Sequence, residues 1–307
     1  MVKVLVCSTR LVEKGMGPPL RGLVHSAFAA AANLVFPDGF LISLNASNNP
    51  PNRPTLQEKY HQNDRIRTKN LESFLSPLND HQNRSGLLMP NGLLLGAGAG
   101  EFPFAELRAG MPVVLGAGWL VLDAVACALD FTDCPRWSPR IQRPAELDAE
   151  LVRANGRWLT QLCQSEDLSG MPELAGIADE AILGLAERLC GRGPGLTPGG
   201  DDFLAGWMAA GWLLTGPQPD FLATCQQVCQ LARQRTHVLS QCWLEYAAAG
   251  DVALPVSTLL EALTIPDRGR LEHAARVLLA LGATSGFDLL QGILYALRQT
   301  QIPYCRL

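Results

Sequence analysis

Short apolar runs broken by turn residues dominate the first 140 residues of the chain, and a helical apolar period takes over after Ala145. Val2–Cys7 is an apolar run of strand length. Phe36-Pro37-Asp38-Gly39-Phe40 is a turn with apolar residues on both sides, which predicts a hairpin ending near Leu44. Leu87–Leu95 repeats the pattern around Pro90-Asn91-Gly92, and Met111–Leu115 and Trp119–Leu122 read as two strands separated by Gly-Ala-Gly. Ala27–Asn33 stays open between two states: its alanines favour helix, while its place before a hairpin favours strand.

Residues 45–84 interrupt this pattern with Asn, Gln, Pro, Lys and Arg and few large apolar side chains. So long a polar stretch inside a domain predicts an inserted surface loop, with a short helix around Leu71–Leu75. Three prolines and three arginines between Pro135 and Pro144 mark a boundary. Beyond it Leu147, Leu151, Trp158, Leu159 and Leu162 fall on one helical face. Ile177–Cys190, Phe203–Leu214, Phe221–Ala249, Thr258–Leu263, Leu271–Leu281 and Leu289–Leu297 continue in that manner. The expected class is α+β: a β-rich N-terminal domain over 1–140, then an all-helical C-terminal domain over 145–307 that carries the glycine-rich loops.

Composition narrows the function classes. The 307 residues are 48% apolar and carry a net charge of −4, with no Lys/Arg block, so nucleic-acid binding is not expected. No uninterrupted apolar run reaches the roughly twenty residues that span a bilayer, and the N-terminus lacks a signal-peptide cleavage pattern. The nine cysteines are odd in number, irregularly spaced and without a C-x-x-C pair, which reads as free thiols in a reducing cytoplasm. No metal site and no cofactor are expected.

The candidate chemistry concentrates in Gly191–Gly206, where five glycines and two prolines precede Asp201 and Asp202 and an apolar helix follows. Glycines let backbone N–H groups approach a ligand, and a helix N-terminus adds unpaired N–H groups and a positive dipole end. Gly193, Gly195, Gly199 and Gly200 are therefore candidate walls of an anion pocket, with Thr197 adding a hydroxyl. The loop lacks the P-loop lysine, and it follows a helix rather than the strand that a dinucleotide fingerprint needs. The competing reading is a tight helix–helix turn in which Asp201 caps the next helix and Asp202 favours its dipole.

Two further segments join it. Arg235, Thr236 and Ser240 would be neighbours on one helix, and an arginine with two hydroxyls suits a carboxylate or phosphate. Thr284-Ser285-Gly286-Phe287-Asp288 repeats the Thr-x-Gly-x-Asp of Thr197, Gly199 and Asp201, which suggests two loops converging on one site. Its competing reading is a capping box, with Ser285 as N-cap and Asp288 three residues on.

In their order along the chain, the Gly-Pro-Gly-Leu-Thr-Pro-x-Gly-Asp-Asp-Phe-Leu-Ala-Gly run, the Arg-Thr-x-x-Leu-Ser run and the Gly-x-Thr-Ser-Gly-x-Asp-Leu-Leu-x-Gly run resemble the AllH family. That family, long known only as a domain of unknown function, includes a subunit of oxamate carbamoyltransferase from allantoin and oxalurate breakdown. The resemblance implies a cytoplasmic protein working beside FdrA-like and AllG-like subunits. It also implies exchange of a carbamoyl group between carbamoyl phosphate and an oxamate-like acid. The Ser-x-Arg-Thr-Arg motif of ordinary transcarbamoylases is absent, and Cys7-Ser8-Thr9-Arg10 only echoes it. Carbamoyl transfer requires a held phosphate, a polarised carbonyl and a base for the amide nucleophile. Asp201, Asp202 and Asp288 are the candidate catalytic groups. Gly193, Gly195, Thr197, Gly199, Gly200, Arg235, Thr236, Ser240, Thr284, Ser285 and Gly286 are the candidate binding groups. The alternatives are a non-catalytic structural or ligand-binding subunit and a metal-assisted phosphotransferase using Asp201 and Asp202.

Overall fold

A computed structural model of the chain describes residues 2, 4–29, 31–46, 89–96, 102–165, 181–282 and 284–299. The chain divides into two compact units, Met1–Ser138 and Pro139–Leu307. The expected helix at Leu71–Leu75, nearly all of the polar stretch 45–84, and Leu87 lie outside the described residues.

The first unit is built on one nine-stranded sheet. In chain order its elements are β1 (Val4–Ser8), α1 (Thr9–Gly15), β2 (Leu20–Ala27), β3 (Ala31–Val35), β4 (Leu41–Ala46), β5 (Gly92–Leu95), β6 (Pro112–Gly116), β7 (Trp119–Leu122), β8 (Cys127–Asp130) and β9 (Arg136–Trp137). The strands lie in the order β8-β7-β6-β2-β3-β4-β5-β1-β9. The Ala-rich stretch resolves as strand, because β3 pairs antiparallel with both β2 and β4 and buries Ala32 and Leu34. Ladder hydrogen bonds and burial override alanine's helical preference there. Pro37–Gly39 turns β3 into β4 as the hairpin pattern predicts, and β6 and β7 form a second hairpin. The motif at Pro90-Asn91-Gly92 behaves differently: the strand it opens, β5, pairs parallel with β4 and antiparallel with β1. β4 and β5 are buried almost throughout, as central strands covered on both faces must be.

The second unit contains α2 (Ala149–Ser165), α3 (Ile182–Leu189), α4 (Gly199–Thr215), α5 (Pro219–Arg235), α6 (Val238–Ala248), α7 (Leu254–Leu263), α8 (Arg268–Leu279) and α9 (Ser285–Arg298). α4 is apolar all round and buried over most of its length, so it occupies the centre. α9 is its principal neighbour. One apolar core on this pair gathers α2, α7 and α8, and a second gathers α3, α5 and α6. The chain is therefore α+β, a sheet unit followed by a helical unit.

Buried Asn155 on α2 ties the layers together. Its Nδ2 donates to the carbonyls of Leu263 (2.8 Å) and Ile265 (3.1 Å), which close the C-terminal end of α7. Asn155→Ala would leave both carbonyls unmatched. The expected loss is about 1–3 kcal/mol, read from urea denaturation.

One helical expectation fails. Phe221–Ala249 reads as a single helix, yet the structure breaks it into α5 and α6 with Thr236 extended between them. No Pro or Gly stands at the break. Tertiary contacts impose it: the Thr236 hydroxyl donates to Asp201, and the Arg235 carbonyl sits where a side chain of residue 191 would be, 2.2 Å from a Cβ built on Gly191. Arg235, Thr236 and Ser240 therefore do not share one helix.

Candidate functional site

The glycine-rich loop leaves α3 and enters α4 through a tight reversal. Gly193 and Gly195 adopt φ of 114° and 99°, a region closed to most side chains. The helix begins at Gly199 with Pro198 before it, so Asp201 lies inside the first turn and does not cap it. Its carboxylate reaches sideways, accepting from the Gly191 N–H (2.8 Å) and from the Thr236 hydroxyl. Asp201 thereby staples the start of the loop to the break between α5 and α6. It also lies against Cys190, whose thiol is pushed up to about 12 by burial first and by this carboxylate second. Arg235 turns away to donate to the Glu187 carbonyl, and Ser240 is buried on α6.

The second segment enters α9 in the same manner. Thr284 occupies the position before the helix, Ser285 is the first helical residue, and no capping-box bond forms. The competing capping-box reading, with Ser285 as N-cap, is not what the structure forms. Thr197 and Ser285 meet across the two helix starts, their hydroxyl oxygens 3.3 Å apart. The convergence of the two loops is real in this respect.

The register of the repeat is one residue off the Thr-x-Gly-x-Asp alignment. Gly200 and Gly286 are the structural equivalents, since a Cβ on either would sit on the last turn of the preceding helix, 2.0 Å from the Leu189 carbonyl oxygen and 1.9 Å from that of Leu278. Counting onward, Asp202 matches Asp288, Leu204 matches Leu290, and Gly206 matches Gly292. The last pair makes the helix crossing. A Cβ on Gly206 would lie 2.1 Å from the Leu289 carbonyl oxygen, and one on Gly292 would lie 1.9 Å from that of Phe203. Each contact is the image of the other under exchange of the helices. Because Thr197 and Ser285 also touch at the two helix starts, α4 and α9 run side by side in the same direction, related by an approximate two-fold axis, with their N-termini together. The shared Gly-x-Asp-x-x-x-Gly frame was visible in the chain, but matching the threonines hid it.

This symmetry places Asp202 and Asp288 at matching depths behind the two N-termini. Asp202 is 9% exposed and Asp288 1%, and the Oδ2 of each has no hydrogen-bond partner among the described residues. Burial pushes the Asp202 carboxyl well above the usual carboxylate range. The Ser285 and Thr197 hydroxyls partly offset that rise, while the neighbouring charges of Asp288 and Asp201 add to it. Asp288 is also raised, again by burial, with Thr284 opposing. No backbone carbonyl among the described residues accepts from the N–H groups of Gly195, Leu196, Thr197 or Ser285. Asp202 and Asp288 do not complete a metal cluster: no group of three His, Cys, Asp or Glu side chains occurs among the described residues. Nor is any helix among them long and apolar enough to cross a membrane.

The chain is thus an α+β protein whose helical unit brings two buried carboxyls together on a parallel, glycine-crossed helix pair. Residues 189–297, from the end of α3 to nearly the end of α9, match the family model of oxamate carbamoyltransferase subunit AllH. The match covers the segments that carried the resemblance in the sequence. No solved structure matches the chain.

Proposed function

We propose that this chain is a subunit of an oxamate carbamoyltransferase-type enzyme, and that the paired N-termini of α4 and α9 hold the reacting groups. The observation that carries this reading is the pair of buried carboxyls, each with one unpartnered oxygen, in the first turns of two adjoining helices inside the segment that matches the AllH family. Helix N-termini favour a phosphate or carboxylate beside them. The Thr197 and Ser285 hydroxyls stand where they can polarise a carbonyl oxygen as charge develops on it. The nucleophile is an amide nitrogen and must lose a proton. A raised carboxylate pKa suits that task better than an ordinary one, and Asp202 and Asp288 are the candidates. Asp201, Thr236 and Arg235 act as positioning residues, because they lock the loop against α5 and α6.

The expected setting is cytoplasmic, with FdrA-like and AllG-like partner subunits, carbamoyl phosphate and an oxamate-like acid as substrates, and no cofactor. The test is reconstitution. The co-purified complex should convert oxalurate and phosphate to oxamate and carbamoyl phosphate, and omission of this chain should abolish the conversion. Full activity without it would overturn the reading.

A further inference from the structure

The sheet unit holds a cluster of reactive side chains of its own, at its β1–β9 edge. β1 pairs parallel with the edge strand β9, Cys7 opposite Arg136, and the Cys7 N–H donates to the Pro135 carbonyl at 2.9 Å. This pairing brings Cys7 beside Cys134, although no short spacing in the sequence relates the two. The Arg136 guanidinium bridges them, its Nη1 donating to Cys7 Sγ at 2.5 Å and to Cys134 Sγ at 3.6 Å. It also donates to the Phe131 and Thr132 carbonyls, which fixes it against the turn that leads to Cys134. The two thiols hydrogen-bond each other as well, and both are free cysteines.

The two sulfurs differ in access and in charge. Cys7 is fully buried in the core of the sheet unit, whereas Cys134 is only partly buried. The Cys134 hydrogen bond draws the Cys7 thiol down to about 7, with burial opposing and the Arg136 guanidinium assisting. Cys134 is raised, first by that same bond to Cys7 and then by burial. The negative charge of the pair therefore rests on the buried sulfur, while the accessible one keeps its proton. A thiolate is the attacking species in disulfide exchange, and here it faces a second sulfur rather than solvent.

We propose that Cys7 and Cys134 form a reversible dithiol site oxidised by small-molecule disulfides of the glutathione type, with Cys134 as the entry sulfur and Cys7 as the resolving sulfur. In the first step Cys134 Sγ attacks one sulfur of the small disulfide and passes its proton to Cys7. A mixed disulfide forms at Cys134, and one small thiolate leaves. Cys7 gives its proton to that thiolate, attacks Cys134 Sγ and expels the second small thiolate, which takes a proton from water. Two electrons thus pass from the protein sulfurs to the small disulfide, which departs as two thiols. The new bond joins β1 to the segment entering β9 and locks this edge of the sheet. Excess small thiol runs both steps backwards.

The test incubates the folded full-length chain with oxidised glutathione, quenches it with an alkylating agent in denaturant, and maps the cysteines by mass spectrometry. In the wild type, positions 7 and 134 should escape alkylation and appear as one linked peptide pair. Because the link closes a long loop, the oxidised chain should melt at least about 5 °C above the reduced one. Dithiothreitol should reverse these changes. Cys7→Ser should stop at the mixed disulfide, with one glutathione retained on Cys134. Cys134→Ser should leave Cys7 unmodified and the melting temperature unmoved. A wild type that keeps a stable glutathione on Cys134, or in which both cysteines stay alkylatable, would overturn the inference. So would a link that forms only after the chain is unfolded. These wild-type results decide the matter even if a variant fails to fold.

Discussion

Gly292→Ala is expected to destabilise the helical unit by on the order of 3 kcal/mol or more, lowering its melting temperature by roughly 6–12 °C. The added Cβ would fall 1.9 Å from the Phe203 carbonyl oxygen, a backbone atom that cannot rotate aside. Relief requires α4 and α9 to separate, and the two cores on either side of them would open with that movement. Gly206→Ala is the mirror experiment, since its Cβ would meet the Leu289 carbonyl oxygen at 2.1 Å. Gly269→Ala is the control within the same unit. Its nearest neighbour stands 3.5 Å away and it sits in α8, so alanine should be neutral or stabilising by about 0.5–1 kcal/mol. If Gly292→Ala melts with the wild type, the glycine crossing is not what brings the helices together.

Asp202→Asn and Asp288→Asn should separate activity from stability. Removing a proton acceptor from the transferring site is expected to lower kcat by about 10²–10⁴-fold. Both substitutions should nevertheless raise the melting temperature at pH 7. Each carboxyl has a folded-state pKa above its ordinary value of 3.8, so the folded protein holds the proton more tightly than the unfolded chain. The stability these groups contribute is complete below that ordinary value and is lost as the pH rises through the raised one. Asparagine does not titrate, so the variants escape the loss. Their advantage should shrink to nothing as the pH is brought down toward 4. The acid limb of the wild-type pH–rate profile should correspondingly lie above the ordinary carboxylate range. A variant that melts below the wild type at pH 7 would contradict the assignment of these groups as burial-strained functional acids.

Much of the architecture was legible in the pattern of apolar positions. The β3–β4 and β6–β7 hairpins followed from turn residues between apolar runs, and the helical half followed from its period. What periodicity cannot carry is long-range pairing. Nothing local marks β5 as the parallel neighbour of β4, or β1 as its other partner. The break at Thr236 was hidden for the same reason: neither Pro nor Gly marks it, and a contact with Asp201 ends the helix. At the site, the two loops were recognisable as a related pair. The partnership of Asp202 with Asp288 was not, because it depends on where each helix begins rather than on which letters recur. Asp201 shows the cost of that ambiguity, since the residue aligned with Asp288 by letters serves as a staple between loops.

The parallel pairing of α4 with α9 also sets an order of events during synthesis. α9 starts 86 residues after α4, from Gly199 to Ser285, so at roughly 5–20 residues per second the ribosome delivers it about 4 to 17 seconds later. Throughout that interval α4, buried over most of its length in the finished unit, exists without the partner whose backbone fills its glycine notch. A nascent chain is therefore most exposed to aggregation and to chaperone capture between these two helices. Synonymous changes that slow translation across α5–α8 would lengthen that exposure without altering a single residue of the finished protein.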